Sequence, residues 1–186
     1  MAEINNFTYI NHVQRFKNAH LAKFDSADWV LEKINNYVKN PIGFLMFFGN
    51  PGIGKTYFCY AYINYLYEQK KMFRFYNERD YFSALKDEMK KDWDPLNLVK
   101  RICDTEFVFY NDLASGRPED VTEWQKEQVF AFIDERYENK KPTIITSNHF
   151  LEELGKIFPA RLLSRLKDSR NTLIELTDVD KRTLGM

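Results

Sequence analysis

The sequence predicts an α/β fold in which a five-stranded parallel sheet lies between two layers of helices. Short apolar runs alternate with longer segments of helical periodicity through the 186 residues, as in chains of strand–helix–strand units. Glycine-rich or polar groups directly follow the runs at 44–48, 107–110 and 143–146. Ligands on sheets of this kind bind beyond the carboxyl ends of the strands. The pattern therefore predicts a three-layer fold with a ligand site where these three strand ends meet.

Composition and charge fit one globular domain and exclude several classes of protein. Hydrophobic residues make up 44% and charged residues 29% of a chain long enough to bury a sizeable core. The 27 basic residues balance 27 acidic ones, which excludes a globally basic nucleic-acid binder but not a local basic groove. Cys59 and Cys103 form no C-x-x-C pair, which favours a reduced, cytoplasmic protein without a cysteine metal site. No apolar run approaches the about 20 residues that cross a bilayer, so no membrane partner is expected.

Residues 1–40 are expected to form an N-terminal arm and one helix ahead of a core at 41–186. The arm has a basic tilt, which is more typical of a solvated face than of a DNA contact. Its basic residues are Arg15, Lys17, His20 and Lys23. A helix is predicted from Ala27 to Lys39, with Asp25-Ser26 as its N-terminal cap.

The first predicted strand, 44–48, runs into Gly-Asn-Pro-Gly-Ile-Gly-Lys-Thr at 49–56, which fits the P-loop pattern G-x-x-x-x-G-K-[ST]. Its glycines let the backbone turn around an anion, and the N–H groups that begin the next helix, 55–69, point at phosphate oxygens. Lys55 is expected to reach the β- and γ-phosphates, and the hydroxyl of Thr56 to ligate Mg²⁺. The predicted nucleotide contacts are Gly49, Asn50, Pro51, Gly52, Ile53, Gly54, Lys55, Thr56 and Tyr57.

The remaining elements continue the alternation of strand and helix patterns. Further strands are predicted at 72–76, 107–110, 143–146 and 172–176, and further helices at 79–91, 96–102, 123–139, 150–157 and 159–166. Thr122 and Gln125 fit a capping box ahead of the helix 123–139. The apolar residues that this helix is expected to bury are Trp124, Val129, Phe130 and Ile133.

Two polar groups at strand ends are candidates for the chemistry of the site. Asn111-Asp112 follows the strand 107–110, where a P-loop enzyme needs an acid for Mg²⁺ or its water and another acid to polarise the attacking water. An Asx turn is the alternative for this pair. Ser147-Asn148 ends the strand 143–146, whose β-branched, two-sided apolar character is typical of a central parallel strand. We expect both groups to lie beside the P-loop.

The P-loop resembles that of the AAA+ ATPases in the DnaC/IstB-like helicase-loader family, and a second stretch makes the resemblance more specific. That stretch runs from Val121-Thr122-Glu123-Trp124 through Glu135-Arg136-Tyr137-Glu138-Asn139 to Pro142-Thr143-Ile144-Ile145-Thr146-Ser147-Asn148. The resemblance extends from about Arg15 to Arg182. It implies a P-loop NTPase core of AAA+ type without an evident C-terminal lid domain, in a compact member such as phages and mobile elements carry.

The resemblance also assigns roles to single residues. Residues 49–56 match the Walker A loop and Asn111-Asp112 the Walker B pair. Thr56, Asn111 and Asp112 are therefore the implied metal ligands, and Asp112 is the implied catalytic acid. Asn148 matches sensor 1, a polar side chain that orients the attacking water. The last two matches are Arg165 as the arginine finger offered to a neighbouring subunit's nucleotide and Arg182 as the sensor 2 arginine, with a surface salt bridge as the alternative for each.

This chain departs from the family pattern at Asn111, where an aspartate is expected. An amide oxygen is a neutral and weaker ligand for a hard cation than a carboxylate oxygen. If the residue acts through a metal-bound water, the amide can still hold that water. Otherwise Mg²⁺ affinity and ATP turnover are expected to fall.

The function that the resemblance implies is an ATP- and Mg²⁺-dependent replication accessory protein. It would assemble into a homo-oligomer on ATP and load a replicative DNA helicase onto single-stranded DNA. The candidate DNA contacts are Lys86, Lys90 and Lys91, for which a solvated face is equally compatible. Two alternatives are a nucleotide-gated adaptor that barely hydrolyses ATP and a transposition helper ATPase. A small-molecule kinase shares the P-loop, but the stretch from Thr122 to Asn148 argues against it.

Overall fold

The computed structural model of the chain describes residues 16–90 and 95–177, with only the backbone described for 95–97. Its strands are β1 Phe44–Gly49, β2 Phe73–Asn77, β3 Phe107–Leu113, β4 Thr143–Ser147 and β5 Thr172–Leu176. They form one parallel sheet in the order β2-β3-β4-β1-β5. The predicted five-stranded parallel sheet is therefore confirmed. Because β3, β4 and β1 are neighbours, the three polar strand ends lie side by side.

Seven α-helices of the described residues cover the two faces of the sheet. They are α1 Asp28–Lys39, α2 Lys55–Glu68, α3 Glu78–Met89, α4 Pro95–Cys103, α5 Glu123–Glu138, α6 Leu151–Ile157 and α7 Ala160–Leu166. Two single 3-10 turns are also described, Leu21–Lys23 and Pro118–Asp120.

Alternate residues of β1 enter two separate hydrophobic cores, because successive side chains of a strand point to opposite faces. Phe44, Met46 and Phe48 pack with residues of α3 to α7 on one face. Leu45 and Phe47 pack with α1 and α2 on the other. All six residues of β1 are buried between these two cores.

The start of α1 differs from the prediction. Asp25-Ser26 was expected to cap this helix, but the residue at the N-cap position is Ala27, which makes no side-chain cap hydrogen bond. Asp28 in the first turn instead places a negative charge near the positive end of the helix dipole. The helix buries Val30, Ile34 and Tyr37 and leaves other apolar positions more exposed.

The start of α5 agrees with the prediction. The backbone N–H of Gln125 donates to Oγ1 of Thr122 at 3.3 Å, and the backbone N–H of Thr122 donates to Oε1 of Gln125 at 2.9 Å. This reciprocal pair is the predicted capping box. Val129 and Ile133 are buried as expected, whereas Trp124 and Phe130 are half-buried at the edge of the core.

Arg136 in α5 is fully buried and holds two loops together. Its guanidinium donates to the hydroxyl of Thr143 and to the backbone carbonyls of Cys103, Thr105, Glu106 and Pro142. These acceptors belong to the segments that enter β3 and β4. Burial lowers the pKa of Arg136 to about 10, so the side chain remains charged at neutral pH. One buried cation thus fixes how two central strands begin.

Candidate functional site

The P-loop turns away from β1 through glycines with left-handed backbone angles. Gly49 has φ +117° and Gly54 has φ +101°, values that residues with a Cβ rarely adopt. A Cβ on Gly49 would lie 2.1 Å from the carbonyl oxygen of Leu176, so the close approach of β5 also excludes a side chain there. Gly54 directly precedes α2, and the first N–H groups of that helix therefore face the mouth of the loop.

The first half of the P-loop is attached to the end of β5. The backbone N–H of Asn50 donates to the carbonyl of Leu176 at 3.0 Å, and its Nδ2 donates to the carbonyl of Thr177 at 3.1 Å. Gly49 and Asn50 were predicted as nucleotide contacts, but they lie against β5 and do not line the cleft described below. Asn50 instead ties the start of the loop to the end of β5.

Lys55, the P-loop lysine, is 5% exposed and lies along the loop. Its Nζ donates to the carbonyls of Gly49 at 2.8 Å and Asn50 at 2.6 Å. Its charge also reaches Asp112. Burial raises the pKa of the Asp112 carboxyl, and the positive charge of Lys55 opposes that rise. The predicted lysine and the predicted acid are therefore electrostatic neighbours.

Asn111 lies at the end of β3 and is only 2% exposed. Its Oδ1 accepts from the hydroxyl of Thr56 at 3.4 Å and from that of Thr146 at 2.9 Å. Its Nδ2 donates to Oδ1 of Asn77 at 2.9 Å. The structure thus brings Thr56 and Asn111 together as predicted, but it places Asn111 inside the sheet and not on the wall of the cleft.

The side chain of Asp112 lies on the cleft, whereas that of Asn111 lies inside the sheet. Asp112 has φ +60°, and the pairing of β3 with β4 is irregular between Tyr110 and Leu113. Its backbone N–H donates to Oγ1 of Thr146 at 2.9 Å. Strand β3 was predicted to end at 110, but this bulge lets pairing continue to Leu113. The bulge brings the carboxylate of Asp112 to the P-loop.

Asn148 directly follows β4 and lies on the same cleft. The residue before it fixes the turn, because the hydroxyl of Ser147 donates to the carbonyl of Leu113 at 2.8 Å and accepts from the backbone N–H of His149 at 3.1 Å. Asn148 is exposed, so its amide is available to a ligand.

A cleft of about 590 Å³ unites most of the predicted site residues. Residues 51–56, Tyr57, Asp112 and Asn148 form one side of it. The other side comes from the arm, in the form of Phe16, Lys23, Phe24 and Asp25. A volume of this size is within the range of small-molecule sites.

The aromatic wall of the cleft escaped prediction from sequence. Phe24 is buried; its ring centroid lies 5.4 Å from that of Phe58 and 6.5 Å from that of Tyr57. The backbone N–H of His20 lies 3.3 Å from the hydroxyl oxygen of Tyr57, which holds the 3-10 turn on α2. These contacts span more than 30 residues of sequence, and no local pattern signals them. Thr146, which bonds both Asn111 and Asp112, also escaped prediction.

The arginines are placed differently from the P-loop residues. Arg165 does not line the cleft: its Nε donates to Asp134 at 2.8 Å, and its Nη2 lies 3.6 Å from Glu138. Its guanidinium also lies 4.8 Å from the ring centroid of Tyr137. Arg182 lies outside the described residues, as does Lys91. The role of Arg165 toward a neighbouring subunit stays a prediction.

The donor set of the cleft fits Mg²⁺ bound together with phosphate. Within residues 16–90 and 95–177, no cluster of three or more His, Cys, Asp or Glu side chains could hold a metal ion alone. Thr56 and Asp112 supply one hydroxyl and one carboxylate on the cleft wall. Mg²⁺ is often held by one or two such groups together with substrate phosphates. In the described part of the chain, no helix has the length and apolarity to cross a membrane.

Comparisons with known proteins agree with this geometry. The family model described as IstB-like ATP binding protein matches residues 5–168. Uncharacterized protein YqaM of Bacillus subtilis strain 168 is 32% identical over 158 residues, which cover 83% of this chain and 48% of that protein. The phage-like element PBSX protein XkdC of the same strain is 31% identical over 132 residues, covering 68% of this chain and 46% of that protein. The chain spans about half the length of these curated relatives.

The solved structures give the same fold. The crystal structure of the DnaC helicase loader aligns with a TM-score of 0.75 and 27% identity, over 89% of this chain and 100% of that chain. The chain therefore has the P-loop AAA+ fold that the sequence predicts.

Proposed function

Since the chain belongs to the family of IstB-like ATP-binding proteins, we propose that it is an ATP-dependent accessory protein of DNA replication that helps to place a replicative helicase on single-stranded DNA. The likeness to a structure titled as a helicase loader supports the class of partner. The observation that carries the proposal is the convergence of Lys55, Thr56, Asp112 and Asn148 on one cleft. We place its action in the cytoplasm, where the buried thiols of Cys59 and Cys103 would stay reduced.

In this proposal the P-loop and the start of α2 bind the triphosphate. Lys55 leaves its two loop carbonyls to contact the β- and γ-phosphates. The ring of Phe24 on the arm side of the cleft and the ring of Tyr57 on the P-loop side would offer flat apolar surfaces to the nucleobase. The base and the phosphates would thus be held in one cleft.

Thr56 and Asp112 are the groups that would hold Mg²⁺, which supplies positive charge to the phosphates. A hydroxyl that ligates a cation through a lone pair keeps its proton available as a donor. The oxygen of Asn111 is placed to accept a hydrogen bond from the Thr56 hydroxyl. Asn111 would therefore orient a metal ligand without binding the metal itself.

Asp112 and Asn148 are the proposed groups for hydrolysis. The carboxylate of Asp112 would polarise the attacking water. The amide of Asn148 would orient the attacking water against the γ-phosphate. Arg165 would act on the nucleotide of a neighbouring copy of the chain, after release from Asp134.

The test is ATP turnover combined with co-elution. Purified protein is run over a sizing column with an ATP analogue, single-stranded DNA and the replicative helicase of the host, and ATPase rates are measured with and without DNA. We expect co-elution with helicase and DNA, and loss of turnover in Lys55→Ala but not in Lys71→Ala. Lys71 is an exposed lysine whose ion pair with Glu106 lies at the amino end of β3. Co-elution with neither helicase nor DNA would remove the loader assignment.

A second function, a nucleotide-gated adaptor with little hydrolysis, is favoured by one observation. Asn111 is uncharged, whereas the family pattern has an aspartate at this position. Its oxygen already accepts hydrogen bonds from two hydroxyl groups. Tight ATP binding without turnover in a single-turnover assay would support the adaptor. A transposition helper is the remaining alternative within the family, and failure to bind the helicase while DNA binding persists would favour it.

A further inference from the structure

Glu78, the first residue of α3, carries a buried carboxylate that the proposed chemistry does not use. The residue is 7% exposed. Its Oε1 accepts from the backbone N–H of Ala114 at 2.9 Å, and its Oε2 accepts from the N–H of Ser115 at 2.9 Å. The hydroxyl of Ser115 lies 3.3 Å from the same Oε2. A carboxylate with both oxygens on adjacent backbone amides is a charge-assisted clamp on one short stretch of chain.

The clamped stretch is the one that turns Asp112 into the cleft. Asp112 has φ +60° and Ala114 has φ +59°, so two residues with side chains sit in the left-handed region within three positions. Such angles persist only where surrounding contacts impose them. Thr146 holds this corner from β4, on the side of Asp112. Glu78 holds it from α3, on the side of Ala114.

Burial of Glu78 is unfavourable unless its contacts compensate. Desolvation raises the pKa of Glu78, and the hydrogen bonds from Ala114 and Ser115 lower it. Glu78 also does not contribute to the P-loop cleft. The buried carboxylate therefore acts on the backbone, because its two hydrogen bonds fix the path of residues 112–115.

We propose that Glu78 is a positioning residue: its carboxylate fixes the backbone after Asp112 so that the Asp112 side chain points at the nucleotide. This inference rests on the proposed ATPase function for its kinetic consequence, but not for its structural one. Because Glu78 is the first residue of α3, the orientation of the Asp112 side chain also depends on how α3 packs against β3.

The kinetic test compares Glu78→Gln with Asp87→Asn, an exposed carboxylate on the same helix. Glutamine keeps the size of Glu78 but offers one acceptor oxygen where two N–H donors point. A small displacement of a catalytic group typically lowers the rate by up to about 100-fold. We expect kcat for ATP to fall about 10- to 100-fold in Glu78→Gln while KM keeps its wild-type value, and no change in Asp87→Asn. Wild-type kcat in Glu78→Gln would overturn the proposal.

The structural test is independent of turnover. Amide hydrogen exchange of Ala114 and Ser115 is measured by NMR in the full chain without nucleotide. Loss of a hydrogen bond to a charged group should speed exchange at these two amides about 10-fold or more in Glu78→Gln, with no change across β4. Unchanged exchange at both amides would overturn the proposal, even if the protein hydrolysed no ATP. Absence of turnover in the wild type would instead count against the proposed function alone.

Two further variants separate positioning from general folding. Ser115→Ala removes only the hydroxyl contact at 3.3 Å and should leave both exchange and kcat unchanged. Glu78→Asp keeps the charge but shortens the side chain by one methylene, so it should show the same changes in smaller size. If Glu78→Gln does not fold, Glu78→Asp provides both measurements, and wild-type exchange and kcat in that variant would contradict the proposal.

Discussion

At the scale of one residue, Asn111 stands where the resemblance of the sequence to the helicase-loader family predicts an acid. Its oxygen accepts hydrogen bonds from two hydroxyl groups, and its Nδ2 donates a hydrogen bond to Oδ1 of Asn77. An aspartate here would keep the two acceptor contacts, add a negative charge beside Thr56, and leave Asn77 without its donor. The charge would strengthen Mg²⁺ binding, whereas the burial of a carboxylate would weaken the fold.

We therefore expect Asn111→Asp to raise ATP turnover and to lower the Mg²⁺ concentration needed for half-maximal rate. Each change should be about 10-fold, which corresponds to about 1.4 kcal/mol of added stabilisation of the bound metal and of the transition state. The same variant should unfold at a lower denaturant concentration. The measurement is the steady-state ATPase rate against Mg²⁺ concentration. Asn111→Ala, which removes the acceptor for Thr56, serves as the control and should lose turnover. An unchanged rate in Asn111→Asp would mean that the amide suffices.

Arg136 offers a stability prediction at the same scale. Lysine in its place keeps a positive charge but cannot reach five acceptors with the fork of a guanidinium. Several buried carbonyls would lose their donor, and we expect Arg136→Lys to lower the free energy of unfolding by at least about 3 kcal/mol. Urea denaturation measures this. Arg101→Lys, an exposed position paired with Glu88, should change it by less than about 0.5 kcal/mol.

At the scale of secondary structure elements, the capping box of α5 is the most local of the stabilising features. Thr122→Ala removes the acceptor for the N–H of Gln125 and should lower the free energy of unfolding by about 1 kcal/mol. Thr122→Ser keeps the hydroxyl and is expected to behave as wild type. Thermal unfolding followed by circular dichroism distinguishes the two. Equal melting temperatures for all three proteins would contradict the prediction.

The bulge in β3 depends on the hydroxyl of Thr146, which accepts from the N–H of Asp112 and donates to Asn111. Thr146→Val keeps the shape but leaves the N–H of Asp112 without its acceptor and Asn111 with only Thr56 as a donor, so a loss of about 1–3 kcal/mol in the free energy of unfolding is expected. Turnover should fall as well, because Asp112 would lose one of its supports. Thr172→Val, at the amino end of the edge strand β5, should have neither effect. Urea denaturation and steady-state ATPase rates are the measurements.

Elements defined by local pattern were predictable from the sequence, whereas those defined by distant contacts were not. The capping box follows from Thr122 and Gln125 alone, and the five strands follow from their apolar runs. The continuation of β3 through Asn111 and Asp112 depends on Thr146, 34 or more residues away. The contacts of Phe24 with Phe58 and Tyr57 depend in the same way on the arm folding onto α2. The expected cap of α1 failed because Ser26 stands one position before the true N-cap, Ala27.

At the scale of the whole molecule, the proposed site is divided between two copies of the chain. The P-loop cleft lies on one part of the surface, while Arg165 lies on α7 and is paired with Asp134 and Glu138. These ion pairs are partly solvated, so their loss on assembly would cost little. An arginine held in this way is ordered but can still be transferred to a stronger anion such as a triphosphate.

Arg165→Ala is expected to lose about 1,000-fold or more in turnover while it still binds ATP. Lys55→Ala should also lose turnover, because its own cleft lacks the P-loop lysine while its Arg165 is intact. A mixture of the two inactive variants should regain activity, because some pairs then join an intact cleft to an intact arginine. Arg170→Ala, which removes the other guanidinium that stacks on Tyr137, is the matched control. A mixture no more active than its components would rule out action in trans.

The attachment of the P-loop to the last strand makes residue 177 a convenient place for an optical reporter. Asn50 in the P-loop bonds the carbonyl of Thr177, and Thr177 itself is exposed. Both native thiols, Cys59 and Cys103, are buried. A Thr177→Cys substitution would therefore accept a fluorophore selectively, one hydrogen bond away from the loop that binds the nucleotide. Binding could then be followed in real time without a labelled nucleotide.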